Sequence, residues 1–346
     1  MFTYMQNLAR IARGDYTLLP RLAVYYVTMQ CNLNCAYCED FGSRRNHLVT
    51  PNPTLENAQK ILKVIRTGVD RLWLTGGEPL MHPQICGLLE YARNELKFRE
   101  ISLITNGTLL SQKQDSLAYI DRLIISLDSI DPQTLNVVSV PDAYAEIVIA
   151  NAREAASLQK KYNFKLILNA VVTPETLHGM DTLIAFCKES KAQISFSPQS
   201  VNNLPRYELV TSAEYRAFIE KLIRLKKHGA PILGSLSYFK TLVDQTPYQC
   251  YPTLVPRIMP DGWLAYPCRP MEKAGGEQGG RAVNLLSVET WEEAWNIAKE
   301  KYGGAPTSCV SCFQQCYAEP SLMQAHPIEY LSERLRGNNV SAYAPG

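Results

Sequence analysis

No stretch of this chain approaches the ~20 consecutive apolar residues that span a bilayer, and the first residues lack a charged-then-apolar signal pattern. The expectation is a cytoplasmic protein without stable membrane insertion. An excess of one charge is also missing: 35 Lys and Arg stand against 33 Asp and Glu, a net charge of +2 with no long like-charge block. That removes the electrostatic footprint of a nucleic-acid binder. Histidine is scarce, with five in the chain. His82, His178, His228 and His326 flank turns or precede proline, where capping or surface roles are the plainer reading.

Cysteine is what the chain does have, ten in 346 residues. In an exported protein they would suggest disulfides, but in a cytoplasmic one their CxxxCxxC and CxxCxxxC spacings point to metal ligation. Cys31, Cys35 and Cys38 follow directly on Leu22 to Met29, a β-branched and aromatic run with the content of a buried strand. A strand end thus delivers three soft ligands into one small volume, which suits an iron-sulfur cluster or zinc. No fourth cysteine is near; His47 is the local candidate to complete a zinc site.

At 46% hydrophobic the chain can bury one large core and a smaller one. After the cysteine loop, strands and helices alternate through six β/α units, which implies right-handed crossovers, a parallel sheet and functional loops at the carboxyl ends of the strands. Six units are too few to close an eight-stranded barrel. The expected fold class is therefore α/β, a partial TIM-like (β/α)6 barrel, with a doubly wound open sheet as the alternative. The expected boundaries are an N-terminal arm over 1–21, the barrel over 22–228, a linker over 229–247, a cysteine-rich domain over 248–320 and a tail over 321–346. Pro260-Asp261-Gly262 marks a hairpin in the cysteine-rich domain, and residues 336–346 read as frayed.

Polar motifs sit at the strand ends. Gly76-Gly77-Glu78-Pro79 ends the second strand, where two glycines permit close backbone approach to a ligand and Glu78 can accept from an ammonium; alone, the motif is also an ordinary turn. Asn106 lies in Thr105-Asn106-Gly107, an Asx-turn sequence. Ser126 and Asp128 alternate on the fourth strand and face one side. Asn169 to Val171 lie on the fifth.

CxxxCxxC with Tyr37 before the third cysteine, one β/α unit ahead of Gly-Gly-Glu-Pro, resembles the radical S-adenosylmethionine (SAM) superfamily. The resemblance implies a 4Fe-4S cluster on Cys31, Cys35 and Cys38 whose open iron chelates SAM. It also implies SAM contacts from Tyr37, Gly76, Gly77, Glu78, Pro79, Asn106, Ser126, Asp128, Asn169 and Val171. A one-electron donor such as flavodoxin or ferredoxin would reduce the cluster.

The second cysteine group, Cys250, Cys268, Cys309, Cys312 and Cys316, resembles the SPASM and twitch auxiliary-cluster domains; a zinc ribbon is the alternative reading. Five thiols imply one auxiliary 4Fe-4S cluster. Cys250, Cys268, Cys309 and Cys312 fit the twitch spacing, leaving Cys316 as a spare thiol and candidate hydrogen donor, or as the ligand in place of another. The implied function is cleavage of SAM to a 5'-deoxyadenosyl radical that abstracts hydrogen from a small biosynthetic metabolite, as a two-electron oxidation assisted by the auxiliary cluster. Only thirty residues precede Cys31, which favours a small molecule over a peptide carrying a leader. A peptide maturase or epimerase is the alternative, and a non-enzymatic electron-transfer or zinc protein is the reading from another class.

Overall fold

The computed structural model describes residues 2–42, 51–138, 142–310, 312–335 and 340–344; His47 falls outside them. Six strands, β1 (Ala23–Thr28), β2 (Arg71–Gly76), β3 (Glu100–Thr105), β4 (Arg122–Ser126), β5 (Lys165–Val172) and β6 (Gln193–Pro198), run parallel, each paired with the next. They are the expected six units. A small separate hairpin follows, β7 (Ser200–Val201) with β8 (Leu204–Pro205). β9 (Ile232–Leu233) then adds a short parallel strand beside β6. On the far side of β1 lies β10 (Arg257–Ile258), parallel to it, continued by antiparallel β11 (Trp263–Tyr266) and β12 (Gly280–Asn284). The order β12-β11-β10-β1-β2-β3-β4-β5-β6-β9 leaves the sheet an open partial barrel.

The period of two along each strand divides one apolar run between two cores. Ala23, Tyr25 and Val27 pack under the helices with Leu72 and Leu74, while Val24 and Tyr26 join Trp73, Ile124, Ile167 and Tyr343 inside the barrel. The helices cover the outer face by the same logic. Leu55–Arg66 starts where the Thr54 side chain accepts from the Asn57 amide. It buries Ala58, Ile61, Leu62 and Ile65, the 3.6-period stripe facing the sheet.

Two segments differ from the sequence expectation. Residues 229–247, read as a linker, hold β9 and the helix Leu236–Asp244, which is capped by Ser235 and buries Tyr238, Phe239 and Leu242. A two-residue strand is too short to show a period, so the segment looked irregular. The second is the tail: residues 340–344 are buried, not frayed. Arg71 donates to the carbonyls of Tyr343 and Ala344 at 3.0 and 2.9 Å, and Arg122 to those of Ala342 and Ala344 at 2.6 and 3.0 Å. Glu100 pairs with Arg71 at 2.6 Å and with Arg122 at 3.3 Å. These groups stand at the starts of β2, β3 and β4, so the tail closes the barrel from below. Composition cannot show that two buried guanidiniums await its carbonyls.

Candidate active site

The cysteine loop leaves the carboxyl end of β1 and is fastened at several points. Asn32 donates to the Thr108 hydroxyl at 2.8 Å and accepts from the Asn106 side chain at 2.9 Å. The same Asn106 amide lies 4.0 Å from the Cys31 sulfur. The Tyr37 hydroxyl donates to Asp128 at 2.6 Å, and the other Asp128 oxygen accepts from the Val171 amide at 2.8 Å. The loop is thus tied to the ends of β3, β4 and β5. Burial pushes the Cys31 thiol up to about 11, so deprotonation there calls for a bound cation.

Gly76, which ends β2, and Gly77, which follows it, lie against the chain itself. The Gly77 amide donates to the Thr28 carbonyl at 3.0 Å and the Glu78 amide to the Gln30 carbonyl at 2.7 Å. A Cβ at Gly76 would stand 2.3 Å from the Thr28 carbonyl oxygen, and one at Gly77 would stand 2.2 Å from that of Gln30. Their close approach is to the backbone that launches the cysteine loop.

Glu78 is fully buried. Its carboxylate accepts from the Leu80 amide at 2.9 Å, the Thr105 hydroxyl at 2.7 Å and the Asn106 amide at 2.7 Å. Of about four lone-pair positions on a carboxylate, three are therefore used within the fold. Burial raises its pKa to about 7, against the lowering effect of those three donors. Its evident work is to hold the Thr105-Asn106-Gly107 turn, which in turn holds Asn32. Pro79, also buried, begins the 3-10 turn that Glu78 caps.

The C-terminal cysteines gather on the other side of the barrel mouth. The Cys250 amide donates to the Cys309 carbonyl at 2.9 Å, the Tyr248 amide to Val310 at 3.0 Å, and the Tyr248 hydroxyl to the Cys312 carbonyl. Burial, with neighbouring thiols adding to it, pushes Cys268 and Cys312 up to about 12 and Cys250 well above its ordinary value; burial also raises Cys309. Four thiols whose ionisation is opposed by burial suit a site where metal charge offsets theirs. Cys316, the second residue of the helix Gln315–Ala325, neighbours Cys312 and also lines the cavity described next.

That cavity, of about 370 Å3, lies between the two cysteine groups. Tyr37 and Cys38 line it together with Gln315 and Cys316, Asn169 and Val171 from β5, and the buried Trp73, Ile124 and Tyr343. The tail thus supplies its floor, with the Tyr343 ring 4.8 Å from that of Trp73. At the rim Lys273 pairs with Asp40 at 2.7 Å, joining the helix Arg269–Ala274 after Cys268 to the cysteine loop. Of the residues read from sequence, Tyr37, Cys38, Asn169, Val171 and Cys316 meet at this cavity. Asn106, Glu78 and Asp128 brace the loop, while Ser126 ends β4 beside Asn169. Asn169 in turn accepts from Ser195 at 2.8 Å.

Trp73, Lys273 and Tyr343 were missed by the sequence reading. Trp73 had a signal, its alternation with Leu72 and Leu74; Tyr343 had none.

Residues 25–187 match the model of the Radical SAM superfamily. Among similar curated proteins, a probable GTP 3',8-cyclase of Methanococcus aeolicus is 33% identical over 173 residues, 47% of this chain and 54% of that protein. Another from Methanococcus maripaludis is 27% identical over 260 residues, 70% and 82% of the respective lengths. The chain therefore spans about half the length of the first relative. Streptococcus suis SuiB bound to S-adenosylmethionine superposes with a TM-score of 0.63 at 20% identity, over 86% of this chain and 70% of SuiB. The structure called native anSMEcpe with bound AdoMet gives 0.60 at 17% identity, over 90% and 99%. These two likenesses show the fold. Cys31, Cys35 and Cys38 supply on one braced loop the three thiols that would hold the family's 4Fe-4S cluster; among the described residues no group of three His, Cys, Asp or Glu side chains is arranged to hold a single metal ion. From the matched model over residues 25–187, with the braced cysteine loop inside it, the chain carries a radical SAM domain across that segment.

Proposed function

We propose that this protein is a radical SAM enzyme acting on a small biosynthetic metabolite bound in the cavity between the cysteine groups, in a two-electron oxidation assisted by one auxiliary cluster on Cys250, Cys268, Cys309 and Cys312. The observation that carries the reading is that Tyr37 and Cys38, from the cysteine loop, and Gln315 and Cys316, from the C-terminal cysteine group, line a single space of about 370 Å3. That volume suits a small ligand, and the similar proteins named GTP 3',8-cyclase are named for one. When bound, the first cluster and SAM supply a 5'-deoxyadenosyl radical, and the cofactors carry the hard chemistry.

The chain's own residues position and seclude. Tyr37 and Asp128 keep the cysteine loop in register with β5. Glu78, through Asn106 and Asn32, keeps it in register with β3. Trp73, Ile124 and Tyr343 present an apolar floor that keeps water from the reacting carbon. The Lys273–Asp40 pair holds the rim.

A second reading, an epimerase or peptide maturase, is favoured by one feature, the presence of Cys316 in the lining of the same cavity. There the thiol would return a hydrogen atom to the substrate radical, and an external donor would supply the electron and solvent the proton that restore it. Deuterium from D2O retained at the substrate carbon by wild type and lost in Cys316→Ser would favour this reading over oxidation.

The deciding experiment is anaerobic iron and sulfide content for wild type and for the Cys31, Cys35 and Cys38 to Ala triple variant. Two four-iron clusters give roughly eight irons per chain falling to roughly four. About four falling to none would overturn the auxiliary cluster. 5'-Deoxyadenosine formed from SAM under reducing conditions distinguishes the enzyme from a metal-binding protein without catalysis.

A further inference from the structure

We infer that the protein has a second ligand site, an anion-binding cleft at the opposite end of the barrel from the cysteine loop, built for a diphosphate or similarly charged phosphorylated small molecule. The cleft holds about 410 Å3 and is lined by Arg21, Arg66, Arg71, Arg99 and Arg334, with Asp70 the carboxylate among its described lining residues. Its wall comes from the residues that precede β1, β2 and β3, whereas the cysteine loop follows the far end of β1. A six-residue strand separates the two ends by about 17 Å, so this cleft is distinct from the catalytic cavity.

The charges do not cancel internally. Asp70 pairs with Arg99 at 3.2 Å, and Glu100 meets Arg71. Among the described residues no carboxylate pairs with Arg21, Arg66 or Arg334. Guanidiniums crowded around one cleft repel each other, and an occupant with two or more negative charges would offset that repulsion.

Arg21 is held ready for such a ligand. Its guanidinium carbon sits 5.5 Å from the ring centroid of Tyr4 and 5.5 Å from that of Tyr330, an arrangement that favours the cation and restrains its plane. One amino nitrogen, Nη2, reaches the Tyr330 hydroxyl at a long 3.4 Å. The other, Nη1, is shut off from water and has no hydrogen-bond partner among the described residues, so Arg21 adds an unneutralised positive charge behind the cleft wall. Arg334 donates to the same Tyr330 hydroxyl at 3.2 Å, and Arg66 uses only its Nε, on the Leu96 carbonyl at 2.9 Å. The terminal nitrogens left over form the planar forks that match phosphate oxygens two at a time.

Tyr4 lies on the helix Phe2–Ala12 and Tyr330 on the helix Pro327–Leu335, so an occupant would join both chain-terminal helices to the barrel. Arg71 also grips the Tyr343 and Ala344 carbonyls, so the cleft and the catalytic cavity's floor share one side chain.

Calorimetric titration of the anaerobic full chain with inorganic pyrophosphate, at fixed ionic strength, tests the inference. Wild type should show one saturable site. Arg99→Gln with Arg334→Gln, both at exposed positions, should weaken it at least tenfold with unchanged circular dichroism and iron content. Arg216→Gln with Lys227→Gln, the same loss of charge elsewhere on the surface, should leave it unaltered. No saturable binding by wild type, or equal weakening in the control pair, overturns the site. ADP as a second probe separates sources: tighter binding than pyrophosphate supports an esterified ligand, weaker binding a free diphosphate.

Discussion

The Tyr37 hydroxyl donates to an Asp128 oxygen at 2.6 Å, joining the middle of the cysteine loop to a strand end 91 residues along the chain. Tyr37→Phe leaves Asp128 its bond from the Val171 amide and removes only the tether. A lost hydrogen bond to a carboxylate costs about 1.5–3 kcal/mol, here expressed as a loosened loop. We expect SAM affinity to fall several-fold and iron to leave faster on anaerobic gel filtration. Wild-type values for both would show that the tether does not serve the site.

Gly77→Ala tests the packing of β2 against the cysteine loop. Its Cβ would meet the Gln30 carbonyl oxygen at 2.2 Å and the Met29 carbonyl oxygen at 2.9 Å, both backbone atoms that cannot turn aside. The strand end must shift, and Cys31 follows Gln30 directly. Iron bound to the N-terminal site should drop sharply, whereas Gly87→Ala, whose Cβ meets nothing within 4 Å, should leave it intact.

Glu319 makes stability depend on pH. It is fully buried, accepting from the Ser235 amide at 3.0 Å and the Gln315 side chain at 3.0 Å. Burial raises its pKa from 4.5 to about 7. The folded state then holds its proton more tightly than the unfolded one, so stability falls as pH rises from about 4.5 through about 7 and levels above that. The full shift corresponds to a loss on the order of 3 kcal/mol. Urea unfolding at pH 5 and pH 8 should show the decline, and Glu319→Gln should flatten part of it. Glu78, raised similarly, accounts for a remaining slope.

Arg122→Met addresses the barrel floor. The side chain holds the Ala342 and Ala344 carbonyls and faces Glu100, which keeps Arg71 at 2.6 Å, so the cost is that of the lost charge-assisted hydrogen bonds, about 1.5–3 kcal/mol. Residues 340–344 should become cleavable by protease in the folded variant. Released, Tyr343 no longer floors the cavity, and SAM cleavage without substrate turnover should increase. Persistent protection of the tail would contradict this account.

The sequence by itself determined the frame and pointed to a chemistry. Cysteine spacing puts three thiols within eight residues of one loop, and the strand–helix period imposes the parallel sheet through local sterics and burial. Both are short-range properties, readable without knowing what lies across the molecule. Tertiary structure decided what each polar residue does. Glu78 reads as a ligand contact, and the fold adds the Leu80, Thr105 and Asn106 donors to it. The glycines before it read as room for a ligand, and the fold sets their Cα hydrogens against the Thr28 and Gln30 carbonyls. Tail residues 340–344 read as frayed, yet Arg71 and Arg122, more than two hundred residues earlier, draw their carbonyls into the barrel. Hydrogen bonds and buried charges are satisfied by whichever partner the fold brings near, and sequence separation carries almost no information about that partner.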